Sequence, residues 1–186
     1  MLKKNIEDTI SKTMAFQNHD EARRPDNPKT LFDGKIPTLE KGIYRDASPM
    51  LQERFENYGR WVNATHGIWL SIQDMENLWC DDIEDSTVDR IKYHAECLKE
   101  DWPNHAYSLF KDNRLSLFAG SDIGNESIFL LWLDFEDEPE LWVYDSNGES
   151  RYKNFNEYLI AYLNDDLSAS EHSACVIGMC TVEVFT

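Results

Sequence analysis

The sequence has few cysteines, no long apolar run and no secretory signal. Its four cysteines, Cys80, Cys97, Cys175 and Cys180, show no CxxC spacing, so we expect free thiols in a reducing compartment rather than a disulfide framework. No apolar run approaches the roughly 20 residues that a membrane-spanning helix needs. The N-terminus carries basic residues without the apolar segment of a signal peptide. We therefore expect a cytoplasmic protein that does not enter a membrane.

Basic residues are scarce beyond position 60. Residues 1–60 hold 11 Lys and Arg against 10 Asp and Glu, whereas residues 61–186 hold 7 against 25, a net charge of −18. Direct binding to nucleic acid is not expected, because phosphate contacts require a basic surface. The acidic excess is compatible with attraction to a basic protein partner, and equally with a surface that only keeps the chain in solution.

Recognisable catalytic and metal-binding motifs are also absent. There is no GxSxG motif, and Gly120-Ser-Asp-Ile-Gly124 lacks the Lys of a P-loop and the second close Gly of a dinucleotide motif. His94 and Cys97 lack two further zinc ligands. Asp145-Ser-Asn-Gly148 lacks the Gly position and the distal Glu of a calcium loop. We predict no metal, no cofactor and no enzymatic activity; the alternative is a hydrolase that uses the carboxylates of residues 134–140.

Apolar residues make up 41% of the chain of 186 residues, which is enough to form the hydrophobic core of one domain. Leu2, Ile6 and Ile10 recur every four residues and predict a helix over residues 2–16. The Pro and Gly residues of 17–47 predict an irregular arm, with a short docking element at Leu31-Phe32. Residues 1–47 are thus predicted to be an N-terminal helix and arm, and residues 48–186 an α+β domain with an additional C-terminal strand.

Helix and strand patterns fill the second part of the chain. Ser48-Pro49, Ser71 and Ser86 each predict the start of a helix, and residues 155–163 predict the last one. Strands are predicted at residues 67–70, 107–110, 115–118, 128–133, 141–144 and 175–185, with a tight turn at 111–114 and with 128–133 as the central strand. The predicted fold class is a single α+β domain, with a mostly antiparallel sheet of about five to six strands flanked by helices.

Five motifs follow one another in a set order. They are Trp102-Pro103, Gly120-Ser-Asp-Ile-Gly124 after a strand, Leu133-Asp134 at the end of the apolar strand, the strand Leu141-Trp-Val-Tyr-Asp145 and the helix Phe155-Asn-Glu-Tyr-Leu159. In this order the chain resembles the SUKH superfamily, the Smi/Knr-type fold, over residues 48–163. The N-terminal arm, the acidic segment at 81–85 and the C-terminal strand depart from the pattern of that family.

The resemblance implies a non-enzymatic domain that docks partner proteins. Many bacterial members resemble immunity proteins, which bind and neutralise a toxin, often a nuclease, and other members are scaffolds in eukaryotic signalling. We therefore expect a monomer or weak dimer that neutralises a basic toxin domain by stoichiometric binding; a regulatory or scaffold protein of the same fold is the alternative. Trp132 and Trp142 are predicted to share a face of the sheet, in the core or at an interface.

Acidic residues in three segments, with one of these aromatic residues, are the predicted contact residues, because interfaces to basic partners are complementary in charge. The loops at 120–126 and 136–140 are predicted to be acidic rims of a docking surface. The candidates are Asp81, Asp82, Glu84, Asp85, Asp122, Glu126, Glu136, Asp137, Glu138, Glu140 and Trp142.

Overall fold

The computed structural model of the chain describes residues 1–16, 23–100, 110–124, 126–146 and 148–166. Within these residues, five α-helices and two antiparallel sheets form one α+β domain, which confirms the predicted fold class. The predicted C-terminal strand at 175–185 lies outside the described residues, as do Trp102-Pro103 and all but the last residue of the predicted strand at 107–110.

The larger sheet is a meander, because each of its strands pairs with the next strand along the chain. It contains the third to the seventh strand of the chain, with every neighbouring pair antiparallel, and the first two strands form a separate pair. The elements are α1 (Leu2–Phe16), β1 (Lys35–Pro37), β2 (Tyr44–Asp46), α2 (Pro49–Asn57), β3 (Ile68–Trp69), α3 (Ile72–Asn77), α4 (Ser86–Glu100), β4 (Leu115–Gly120), β5 (Ser127–Leu131), β6 (Glu140–Asp145), β7 (Gly148–Tyr152) and α5 (Phe155–Leu163).

Two of the three predicted helix starts are confirmed, and the third is displaced by one residue. Ser48 caps α2, with Pro49 at the first helical position. Ser71 and Asp74 form a capping box at α3, in which each side chain accepts a hydrogen bond from the other residue's backbone N–H. Helix α4 begins at Ser86 itself, so the preceding residue, Asp85, provides the cap.

Strand β5 is the centre of the core, as its unbroken apolar sequence predicts. It is the third of five strands, and every one of its residues is buried. Helix α1 packs against α5, where Asn5 Nδ2 donates a hydrogen bond to Asn156 Oδ1 at 2.8 Å. Ile6 and Ile10 of α1 and Ile36 of β1 are fully buried in the same core as the large sheet.

Three local features differ from the sequence prediction. Residues 17–47, predicted to be an irregular arm, include the antiparallel pair of β1 and β2. Strand β7 was not predicted, because its five residues include a single large apolar side chain, Tyr152; the strand forms by pairing with β6. The tight turn predicted at 111–114 is a 3₁₀ turn over Asp112–Arg114. The backbone N–H of Arg114 closes that turn by donating to the carbonyl oxygen of Lys111 at 2.8 Å.

Arg54 is a fully buried cation at the end of α2. Its guanidinium donates to the carbonyl oxygens of Tyr58, Gly59 (2.9 Å) and Leu70 (3.3 Å), and so joins the end of α2 to the chain after β3. The guanidinium also faces the rings of Phe55, Trp69 and Phe118. Burial lowers the pKa of Arg54 to about 9.

Candidate partner-binding surface

The meander separates the two acidic loops that were predicted as rims of a docking surface. Residues 121–126 connect β4 to β5, and residues 132–139 connect β5 to β6. Consecutive connections of an antiparallel meander lie at opposite ends of the strand they share. Strand β5 has five residues, so the two loops are about 17 Å apart at ~3.4 Å per residue. The candidate residues therefore form separate groups.

Residues 134–138, here called the acidic turn, are fixed to the fold at both ends. The Asp134 carboxylate pairs with the guanidinium of Arg114, and lies 3.7 Å from that of Arg45 on β2. At the other end, Glu138 Oε1 accepts a hydrogen bond of 3.1 Å from the backbone N–H of Met50, in the first turn of α2. Glu138 is thus a second cap on α2, where the helix dipole favours a negative charge.

The tip of the acidic turn is exposed to solvent. Phe135 is 81% exposed, and Glu136 and Asp137 are exposed beside it. Within the described part of the chain, neither of these two carboxylates has an ion-pair partner. A hydrogen bond of 3.2 Å from the Glu136 backbone N–H to the Leu133 carbonyl oxygen closes the turn. The turn therefore holds one aromatic ring and two uncompensated carboxylates in a defined loop.

Glu140 and Trp142 are buried on β6 and do not belong to that exposed tip. Glu140 is 9% exposed and Trp142 is 4% exposed. Arg151 lies directly opposite Trp142 on β7, and its guanidinium pairs with both oxygens of the Glu140 carboxylate while facing the Trp142 ring at 5.5 Å. The indole Nε1 of Trp142 donates to the same carboxylate at 3.3 Å. These three side chains form a cross-strand cluster that joins β6 to β7.

The loop at the opposite end of the sheet holds Asp122 and Glu126. Asp122 pairs with Arg90 of α4 at 3.2 Å. The backbone N–H of Ser121 donates to the Glu126 carbonyl oxygen at 2.9 Å, and the Ser121 hydroxyl oxygen accepts from the backbone N–H of Ile123. Ile123 itself is 91% exposed. This loop thus also presents an apolar side chain, but the adjacent carboxylate is already paired.

The four predicted contact residues in the α3–α4 connection are of two kinds. Asp81, Asp82 and Glu84 are exposed, and no ion pair to them occurs within the described residues. Asp85 is bound within the fold. Its carboxylate caps α4 and accepts a hydrogen bond of 2.6 Å from Arg60. That hydrogen bond from Arg60 is the main reason that the pKa of Asp85 lies below its usual value.

A histidine network that the sequence did not reveal lies beside α5. His66 Nδ1 is 2.8 Å from the Tyr158 hydroxyl, and His66 Nε2 is 3.5 Å from Asp145 Oδ2. Burial lowers the pKa of His66 although Asp145 raises it, and burial raises the pKa of Tyr158 well above its usual value. A small pocket of about 120 Å³ opens there. It is lined by His66, Tyr152, Tyr158, Tyr162, Asp165 and Asp166.

The histidine network resembles the order of an Asp-His-hydroxyl triad, but its hydroxyl is not accessible to a substrate. Tyr158 is 1% exposed, and its hydroxyl already contacts both His66 and the Thr65 hydroxyl, to which it donates. A nucleophile must approach the reacting atom of a substrate. The network therefore joins the β3 side of the sheet to α5 through a hydroxyl that already has two partners. The sequence could not indicate it, because His66 and Tyr158 are 92 residues apart.

A larger groove, of about 810 Å³, lies between residues 26–35 and the helices α2 and α3. Its lining carries both charge signs, including Asp33, Glu76, Lys29 and Lys35. The chain can pass close to α2 at this point because Gly59 has no side chain: a Cβ there would lie 2.8 Å from the Asn27 carbonyl oxygen. The mixed lining gives the groove no preference for a ligand of one charge.

The two residues of the docking element predicted at Leu31-Phe32 have different environments. Phe32 is half-buried and lies against the ring of Phe55, with the ring centroids 5.5 Å apart. Leu31 is 97% exposed. Phe32 therefore holds the arm against α2, while Leu31 contributes nothing to that contact.

Within the described ranges, no group of three or more His, Cys, Asp or Glu residues is placed to hold a metal ion. Cys97 and Cys80 are both exposed free thiols. None of the helices described in the structure combines the length and the apolar character of a membrane span.

Comparison with known proteins identifies no relative of this chain. No protein-family model matches it, no curated protein matches it, and no solved structure matches it. The similarity of its motifs to the SUKH superfamily therefore stays a prediction.

Proposed function

We propose that the chain is a non-enzymatic protein-binding domain that neutralises a basic toxin domain, such as a nuclease, by stoichiometric binding through its acidic surface. The proposal unites the motif resemblance, which implies an immunity protein, with the distribution of charge on the fold.

The observation that supports the proposal is how the positive charges beyond residue 60 are used. The chain has seven Lys and Arg residues there. Four of them, Arg90, Lys99, Arg114 and Arg151, form ion pairs with carboxylates of this same chain. The exposed carboxylates at 81, 82, 84, 136 and 137 have no such partner within the described residues. These five carboxylates are therefore exposed negative charges that a partner can reach.

A basic toxin domain suits this surface for an electrostatic reason. A nuclease needs a positive groove for its phosphate substrate, and an acidic protein surface can occupy or shield that groove. Opposite charges also accelerate association, and the acceleration falls as salt screens them. Neutralisation of this kind requires binding alone, so it needs neither a nucleophile nor a metal.

The test is a titration of the chain against the purified toxin domain encoded beside it, together with a protection assay in cells that express that toxin. We expect a 1:1 complex whose dissociation constant rises with salt, and survival of the cells that also make this chain. The matched variant D81N/D82N/E84Q/E136Q/D137N keeps the side-chain volumes, and should bind more weakly with a smaller dependence on salt. Absence of a complex at micromolar concentration, or absence of protection, would contradict the proposal.

The alternative, a regulatory or scaffold protein of the same fold, predicts a different outcome of the same experiment. A scaffold protein would bind a partner that is not toxic and would give no protection. A protection assay with the toxin alone therefore separates the two functions even before the interface is known.

A further inference from the structure

Phe135 stands out among the exposed apolar side chains because the loop beneath it is anchored. Single exposed apolar residues are common and by themselves indicate nothing. Here the residue on the N-terminal side, Asp134, is paired with Arg114, and Glu138 on the other side is hydrogen-bonded to the backbone of α2. Phe135 is therefore 81% exposed on a loop that the fold holds at both ends.

An anchored aromatic residue is the kind of group that dominates protein interfaces. Aromatic side chains bury about 150–250 Å² each and lose few rotamers on binding. A loop that is already ordered also avoids the entropy that a mobile loop loses when it binds. Phe135 meets both conditions, because its ring is exposed while the turn that carries it is closed by the hydrogen bond between Glu136 and Leu133.

The charges around Phe135 define the chemistry of the surface that would receive it. Glu136 and Asp137 follow it directly in the chain, are exposed, and are without ion pairs in the described residues. Lys or Arg at the rim of a pocket for the ring would pair with these carboxylates, whereas acidic groups there would repel them.

The loop between β4 and β5 lacks this combination of an exposed aromatic ring and adjacent carboxylates without ion pairs. Ile123 is similarly exposed, but it is aliphatic, and the carboxylate next to it, Asp122, is already paired with Arg90. A partner at that end would have to displace Arg90 before it could use the charge. Ile123 therefore serves as a matched control for Phe135.

We infer that the acidic turn is the docking site for the basic partner, with Phe135 inserted into an apolar pocket of that protein and with Glu136 and Asp137 paired to Lys or Arg at the pocket rim. This inference deepens the proposed function and rests on it for the basic character of the partner. It places the contact at one end of the sheet, opposite the end that holds Asp122.

The experiment begins with photo-crosslinking in the cells that make this chain. The full chain carries the phenylalanine analogue p-benzoylphenylalanine at position 135, or at position 123 as the control. The crosslinked protein is purified and titrated with wild type, F135A, I123A and E136Q/D137N. All four chains are checked by urea unfolding, which should be unchanged because both apolar side chains are exposed.

The inference predicts a crosslink from position 135 to one basic protein and none from position 123. F135A should raise the dissociation constant about 30-fold or more, I123A by less than about twofold, and E136Q/D137N should reduce the dependence on salt. It is overturned if position 135 gives no crosslinked protein, if the captured protein is acidic or a second copy of this chain, or if F135A binds like wild type.

The outcomes also distinguish this inference from the proposed function. If the toxin binds wild type and F135A equally, the proposed function stands and the docking site is elsewhere. If position 135 captures a basic protein that has no toxic activity, and F135A no longer binds it, the docking site stands and neutralisation of a toxin is refuted.

Discussion

Replacing Arg151 by Met should destabilise the fold, because it leaves the Glu140 carboxylate buried without its cation. Removing one partner of a fully buried ion pair costs about 3–5 kcal/mol. The side chains of Glu140 and Arg151 are 11% and 34% exposed, so water screens part of that effect, and Trp142 still donates one hydrogen bond. We expect a loss of about 2 kcal/mol in the free energy of unfolding, or about 4–8 °C in Tm for a chain of this size.

The assay is equilibrium unfolding in urea, followed by tryptophan fluorescence and circular dichroism, for R151M, E140M and the double variant R151M/E140M. The double variant should lose about 1–2 kcal/mol less free energy of unfolding than the sum of the single changes. The reason is that it also removes the Glu140 carboxylate, which R151M leaves without its cation. The control is E136Q/D137N, which changes two exposed carboxylates of the neighbouring turn and should shift the free energy of unfolding by less than about 0.5 kcal/mol.

If R151M stays within about 0.5 kcal/mol of wild type, or if the double-mutant cycle is additive, then Glu140 is not buried as a charge that depends on Arg151.

Three further predictions concern the fold. Gly67→Ala should cost about 2–4 kcal/mol, because Gly67 has φ +76° and a Cβ there would lie 2.4 Å from the Gly120 carbonyl oxygen; loss of less than about 0.5 kcal/mol in urea unfolding would contradict it. Because the pKa of His66 is lowered in the fold, the unfolded chain takes up the proton first, so stability should fall as the pH drops through about 6.5; a pH series of Tm values should show a shallower fall in His66→Gln, and an unchanged slope would refute the assignment. Asp85→Ala should cost about 1–2 kcal/mol and Ser86→Ala under about 0.5 kcal/mol, as measured by chemical denaturation; a cost for Ser86→Ala that equals or exceeds the cost for Asp85→Ala would contradict Asp85 as the cap.

Local patterns in the sequence were enough for the helices and for the central strand. The caps at Ser48 and Ser71 act within four residues, and the periodicity of α5 lies within nine residues, so each is readable without knowledge of the fold. Strand β7 was not predicted, because it forms by pairing with β6. Its own five residues are mostly polar and give no strand pattern when they are considered alone.

The sequence could not show which carboxylates are paired within the fold and which remain unpaired, because the pairing depends on residues that are distant in the chain. Glu136 and Glu140 look alike as members of one acidic run. In the fold, Glu140 lies on a strand next to Arg151, whereas Glu136 lies at the tip of a turn. Asp122 and Asp85 are likewise distinguished by arginines at positions 90 and 60. Tertiary pairing therefore decides which acidic residues remain for a partner.

The contact between α1 and α5 has a consequence for how the chain is made. Asn5 and Asn156, which join the two helices, are 151 residues apart. Translation at ~5–20 residues per second adds that length in about 8–30 s. During that time Ile6 and Ile10, which are fully buried in the finished fold, have no α5 to cover them. The nascent chain therefore exposes the apolar residues of α1 to the chaperones around the ribosome before α5, which packs against α1, has been synthesised.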